Sequence, residues 1–102
     1  MTNLLKETIG VLHENGRSPK DVLFITAGDA YCFWPEFENA INFEYDSGYG
    51  SQLIFDGLKV VGQDWWLERS EYDGSEWWEF KTMPLIPVTR TKELRLLSYG
   101  DD

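Results

Sequence analysis

Glu68, Glu71, Asp73, Glu76 and Glu79 place five carboxylates within one short run, the densest supply of chemically capable groups in this sequence. Hard cations such as Mg²⁺ and Ca²⁺ take oxygen ligands of this kind, but the spacing fits no EF-hand loop. Paired carboxylates also serve hydrolases, where one of them must sit in a desolvated pocket with a raised pKa. The run that carries them, Trp65 to Lys81, reads WWLERSEYDGSEWWEFK. It has the signature of a β-hairpin, and a solvent-facing hairpin lacks such a pocket. No enzyme, no catalytic residue and no cofactor are therefore expected.

Metal ligation by softer donors is equally poorly supplied. His13 and Cys32 are single, and one of each cannot assemble a four-ligand zinc site, so no metal is expected. Cys32, between Tyr31 and Phe33, reads as a small packing residue and excludes an internal disulfide. Gly48 and Gly50 invite a phosphate-loop reading, yet no GxxxxGK pattern accompanies them.

The hairpin is what positions the carboxylates. Asp73-Gly74 accepts the positive φ angles of a type I′ turn, and aromatic runs flank it. Placing Tyr72 opposite Ser75 sets Glu71 against Glu76, Ser70 against Trp77, Arg69 against Trp78, Glu68 against Glu79 and Leu67 against Phe80. Alternation then gives two faces. Trp65, Leu67, Arg69, Trp78 and Phe80 form the core face, with the Arg69 guanidinium placed to stack on Trp78. Trp66, Glu68, Ser70, Trp77, Glu79 and Lys81 form the other.

Opposed like charges such as Glu68 and Glu79 cost about 0.2 to 1 kcal/mol, which a fold tolerates without any functional reason. The tryptophans weigh more. Trp66 and Trp77 bring roughly 150 to 250 Å² each, approaching the patch size that marks a binding surface if they stay exposed. Two arrangements stand open: the terminal segments cover these rings, or the rings face a partner.

Around the hairpin the chain is expected to build one domain over residues 1–102. Leu5, Ile9 and Leu12 predict an amphipathic helix over residues 3–14, capped by Thr2 or Asn3 and ended by Gly16. Val22 to Thr26 predicts a strand, Gly28-Asp29 a turn, and Ala30 to Phe33 its antiparallel partner. Pro35 opens a short helix with Phe37, Ala40 and Ile41 on its apolar face. Phe43 to Gly50 reads as a structured loop that packs or presents Tyr45 and Tyr49. Gln52 to Phe55 is extended or a helical turn, and Leu58 to Val61 is a strand. Met83 to Pro87, with two prolines, should run over the surface, and Val88 to Tyr99 leans to an edge strand. The class is α+β: a mostly antiparallel sheet of about five strands with an N-terminal helix and a second short helix.

Charge is the other global signal. The 102 residues carry a net charge of −9, and residues 21–80 alone carry −11, so the acidity belongs to the folded middle. Such a field repels nucleic acid and anionic lipid and attracts basic surfaces, although acidity of this size also serves plain solubility. Rows of aromatics on a sheet can stack bases, but those sites need a basic groove that this sheet lacks. No apolar run approaches 18 residues and no signal pattern opens the chain. A cytoplasmic protein of a bacterial host cell is expected, with no membrane and no direct nucleic-acid contact.

Two stretches, Glu44 to Gly50 (EYDSGYG) and Trp66 to Phe80 (WLERSEYDGSEWWEF), resemble a family of small acidic proteins carried by phages, plasmids and integrative elements of Gram-positive bacteria. The resemblance covers roughly the middle 40 residues and supplies no catalytic residue. It implies an anti-defence setting, and by analogy an anti-CRISPR protein acting on a type II endonuclease. The expected function is a non-enzymatic inhibitor that occupies a basic channel and blocks guide RNA or DNA. Its expected contact surface is Trp66, Glu68, Glu71, Asp73, Glu76, Trp77 and Glu79, with carboxylates imitating phosphates. The alternative is an accessory protein of a mobile element that self-associates, so both monomer and homodimer stay open.

Overall fold

The computed structural model describes residues 1–46, 57–88 and 90. A two-residue strand, β1 (Thr2–Asn3), leads into helix α1 (Leu4–Glu14) and a single 3₁₀ turn at Pro19–Asp21. Strands β2 (Phe24–Ala27) and β3 (Ala30–Cys32), helix α2 (Trp34–Ala40) and the short strand β4 (Glu44–Tyr45) follow. Strands β5 (Lys59–Val61), β6 (Trp65–Tyr72) and β7 (Ser75–Thr82) complete the order. The main sheet runs β3-β2-β5-β6-β7, antiparallel throughout, and β1 pairs with β4 in a separate two-stranded ladder. This is the α+β class expected.

Local chemistry accounts for most boundaries. The Asn3 side chain accepts the Lys6 N–H at 2.9 Å, capping α1. Gly16, at φ 72°, takes the left-handed turn that ends it. Pro35 sits in the first turn of α2, and the Glu36 carboxylate accepts the Phe33 N–H at 2.9 Å. At the hairpin tip Asp73 and Gly74 have φ of 52° and 86°, and the register from Tyr72↔Ser75 to Leu67↔Phe80 is the one the turn dictates.

Both helices lie on the inner face of the sheet. The core there joins Leu4, Leu12, Ile25, Phe37, Ile41, Tyr45, Leu58, Val60, Trp65, Leu67 and Trp78. Helix α1 buries Leu4, Thr8 and Leu12 rather than the expected Leu5, Ile9 and Leu12 stripe. A polar residue belongs at the centre of that face because the buried Trp78 indole needs an acceptor: its N–H reaches Thr8 Oγ1 at 2.9 Å, and that hydroxyl donates to the Leu4 carbonyl at 2.7 Å. Leu5 is displaced to the flank, packing against the core from a half-buried position.

The expected loop at Phe43 to Gly50 begins instead with β4, whose Tyr45 is buried. Tyr49 and the Gln52 to Phe55 segment lie outside the described residues. Residues 83–88 are exposed along their length, as two prolines require. Of the segment from Val88 to Tyr99, only Val88 and Arg90 are described. Among the described residues no helix is long and apolar enough to cross a membrane.

Candidate binding face

The outer face of the sheet carries no helix among the described residues, and strand alternation decides what it presents. Register aligns Thr26, Lys59, Glu68 and Glu79 in one row across four strands, with Tyr31 opposite Thr26 on β3. The next row holds Phe24, Val61, Trp66 and Lys81, and Phe33 stands at the next outward position beyond Cys32. Ser70 and Trp77 form a third. Tyr31 and Phe33 meet edge to face at 5.6 Å and are both more than half exposed, and Trp77 is exposed as well. Aromatic rings thus stand outward on β2, β3, β6 and β7, with Lys59 and Val61 of β5 between the two groups.

Charge on this face is internally offset. Trp66 Nε1 donates to Glu68 Oε1 at 2.8 Å, and Trp77 Nε1 donates to Glu79 Oε2 at 3.1 Å. Lys81 Nζ lies 3.5 Å from Glu79 Oε1, and Lys59 stands opposite Glu68. The Trp77 N–H first, and then the Lys81 ammonium and Ser70, lower the Glu79 carboxyl from its ordinary value against the opposing effect of desolvation. Two lysines and two carboxylates therefore share the face, which explains how the Glu68–Glu79 opposition is tolerated.

Of the seven residues expected to form the contact surface, Trp66, Glu68, Trp77 and Glu79 come together here. Asp73 is exposed in the turn, and Glu71, also exposed, accepts the Gly74 N–H at 2.7 Å, so both belong to the hairpin tip. Glu76 corrects the expectation: it is only 4% exposed and faces inward. Parity is the reason, since Glu71 and Glu76 share a pair on the Arg69–Trp78 face rather than on the Glu68–Glu79 face. Phe24, Tyr31, Phe33, Lys59 and Val61 were missing from the expected surface. Alternation in β2 and β3, with Ile25 and Cys32 inward and Phe24, Tyr31 and Phe33 outward, was the available signal.

Inside, Arg69 organises a buried polar cluster. Its Nη1 lies 3.1 Å from Glu7 Oε2, its Nη2 donates to the Tyr45 hydroxyl, and that hydroxyl donates to Glu7 Oε1. Its Nε is 3.7 Å from Glu76 Oε1, an ion pair longer than a hydrogen bond. The guanidinium also stacks on the Trp78 and Tyr45 rings, at 5.0 and 5.4 Å. The cluster ties α1, β4, β6 and β7 together.

Burial, reinforced by the hydrogen bond to Glu7, raises the Tyr45 phenol from 10.0 to about 12 against the opposing pull of Arg69. A phenol moved that way is no general base at neutral pH. The folded value lies above the unfolded one, so Tyr45 contributes stability that is complete below pH 10 and lost as pH rises towards 12. Spectrophotometric titration should show a last tyrosinate phase near pH 12 that Tyr45→Phe removes. A phase count unchanged by that substitution would mean the phenol is not buried as described.

An apolar groove of about 340 Å³ lies between α2 and the β2–β3 hairpin, lined by Ile25, Cys32, Phe37, Ile41, Phe43 and Leu58 among others. The Cys32 thiol, whose pKa burial and then Glu36 push up, is among its lining groups. Among the described residues no group of three His, Cys, Asp or Glu side chains stands together as a metal site. Compared with known proteins, the chain matches no family model, no curated protein and no solved structure.

Proposed function

We propose that this chain is a non-enzymatic inhibitor that binds a basic nucleic-acid-binding protein, and specifically one that keeps guide RNA or DNA out of a type II CRISPR endonuclease by occupying its channel. The observation that carries the reading is the outer face, clear of helix among the described residues, where Phe24, Tyr31, Phe33, Trp66 and Trp77 stand outward beside an acidic hairpin tip. Tryptophan and tyrosine are the rings enriched at the centres of protein interfaces, where they supply large contact area at small entropic cost. The net charge of −9 supplies long-range attraction to a basic channel. The anti-defence setting rests on the resemblance carried by residues 44–50 and 66–80.

On this reading the work is divided differently from a row of phosphate-like carboxylates. Glu68 and Glu79 are offset by Lys59 and Lys81, so the rings supply affinity. Exposed acids around them, Glu71 and Asp73 at the tip and Asp29 and Asp64 at the sheet ends, supply the field that steers encounter.

Guided DNA cleavage by a purified type II endonuclease tests this, with the chain added before or after guide RNA. Inhibition should be strong before guide loading, absent after it, and weaker as salt rises. Trp66→Ala/Trp77→Ala should lose about tenfold or more in affinity while staying folded. Undiminished inhibition by that variant would put the contact elsewhere, and no inhibition in either order would end the reading.

A further inference from the structure

We infer that the chain pairs with a second copy of itself along β7, antiparallel and centred on Phe80. Among the described residues β7 is the last strand on its side of the sheet. The two-residue turn closes on Tyr72 and Ser75, and at the other end the Met83 N–H donates to the Asp64 carbonyl at 2.8 Å. Odd-numbered residues therefore aim their backbone groups at β6. Trp78, Phe80 and Thr82 aim theirs at the other edge.

An unbulged eight-residue edge without proline is a template for pairing. Pro84, at the next outward position, has no N–H and ends it. Two-fold symmetry leaves few registers, because each residue must meet its mirror in sequence about the centre. Centring on Glu79 or Lys81 sets like charges against themselves. Centring on Trp78 puts Glu79 against Trp77 of the other copy and Lys81 against Ser75. Centring on Phe80 sets Glu79 of each copy opposite Lys81 of the other, twice, and exchanges about six backbone hydrogen bonds through Trp78, Phe80 and Thr82.

Glu79 and Lys81 lie 3.5 Å apart within one chain at exposures of 42% and 44%, so the pairing exchanges that one exposed ion pair for two between the copies. The pairing also answers a shortage of area. With strands about 4.8 Å apart and a rise of about 3.4 Å per residue, one outer face spans roughly 400 Å². A standard interface takes about 800 Å² from each partner. Joining two β7 edges makes one continuous face of twice the area. The inference thus deepens the proposed binding role, yet its readout needs no binding partner.

Sedimentation equilibrium on the full chain, from about 1 µM to about 1 mM, should show a reversible monomer–dimer equilibrium. Glu79→Lys and Lys81→Glu should each weaken the dimer about tenfold or more while far-UV circular dichroism stays unchanged, and the double exchange should restore it. In a Cys32→Ser background, an oxidised mixture of Glu79→Cys and Lys81→Cys chains should form the mixed disulfide in preference to either symmetric one. A monomer throughout the range, or a dimer indifferent to both single reversals, overturns the inference. A dimer with these properties that fails to inhibit the endonuclease would leave it standing and reject the proposed target alone.

Discussion

Arg69→Met is expected to destabilise the domain by about 3 to 5 kcal/mol, the cost of stranding buried charge after one partner of a buried pair is removed. Arg69 has no exposed side-chain surface and neither has Glu76, so the Glu76 carboxylate keeps its desolvation and loses the guanidinium beside it. Glu7 and Tyr45 lose a shared donor in the same step. The apolar contact of the methionine replaces only part of the stacking on Trp78 and Tyr45. Small domains have about 5 to 15 kcal/mol in total, so the variant should sit close to unfolding at body temperature.

Urea denaturation of wild type, Arg69→Met and Arg69→Met/Glu76→Leu tests this. The double variant should recover much of the loss, because well-packed apolar replacements of a buried ion pair are often neutral. A single variant within about 1 kcal/mol of wild type would show that the cluster is solvated and contributes little.

Gly62→Ala is the second large effect, and its cause is steric. A β-carbon at Gly62 would stand 2.1, 2.2 and 2.4 Å from Trp65 Cε2, Nε1 and Cζ2. The ring cannot yield locally: Trp65 is 3% exposed, stacks on Phe80 at 5.9 Å and lies under the Arg17 guanidinium at 5.6 Å. The Gly62 N–H meanwhile bonds the Trp65 carbonyl at 2.8 Å, fixing the two residues to each other. One added methyl group must therefore either expel the indole or break the β5–β6 connection.

Expelling a core tryptophan costs about 3 to 5 kcal/mol, more than ordinary overpacking. Thermal unfolding and tryptophan fluorescence read the outcome together. The expected result is a melting temperature lowered by at least about 10 °C, with red-shifted emission from an exposed indole. A variant that melts with wild type would mean that the backbone at Gly62 does not run so close to the ring.

The role of Gly62 was not visible in advance, because nothing local distinguishes a glycine needed for a close approach from one that merely turns. Here Trp65 folds back over a residue three positions earlier, and only the packed ring makes a side chain there impossible. Tyr45 is a similar case. Its segment reads as a loop because it is glycine-rich, yet the residue is drawn into the core by hydrogen bonds to Glu7 and Arg69, each far away in the chain.

The hairpin was determined by the sequence alone. A two-residue turn with a forced positive φ leaves one register open, and alternation then assigns every side chain from Trp65 to Lys81 to a face. The same local logic placed α1, α2 and the β2–β3 hairpin, since caps and proline act within a few residues of themselves. What only the tertiary structure decided was the order of β2, β5 and β6, and with it the surface they form. Lys59 and Val61 join Glu68 and Trp66 because β5 docks beside β6, while Phe24 and Tyr31 reach the same face through β2 and β3. Long-range pairing is set by how the inward residues pack, a sum over the whole core, so the candidate face could be read one strand at a time but assembled only after folding.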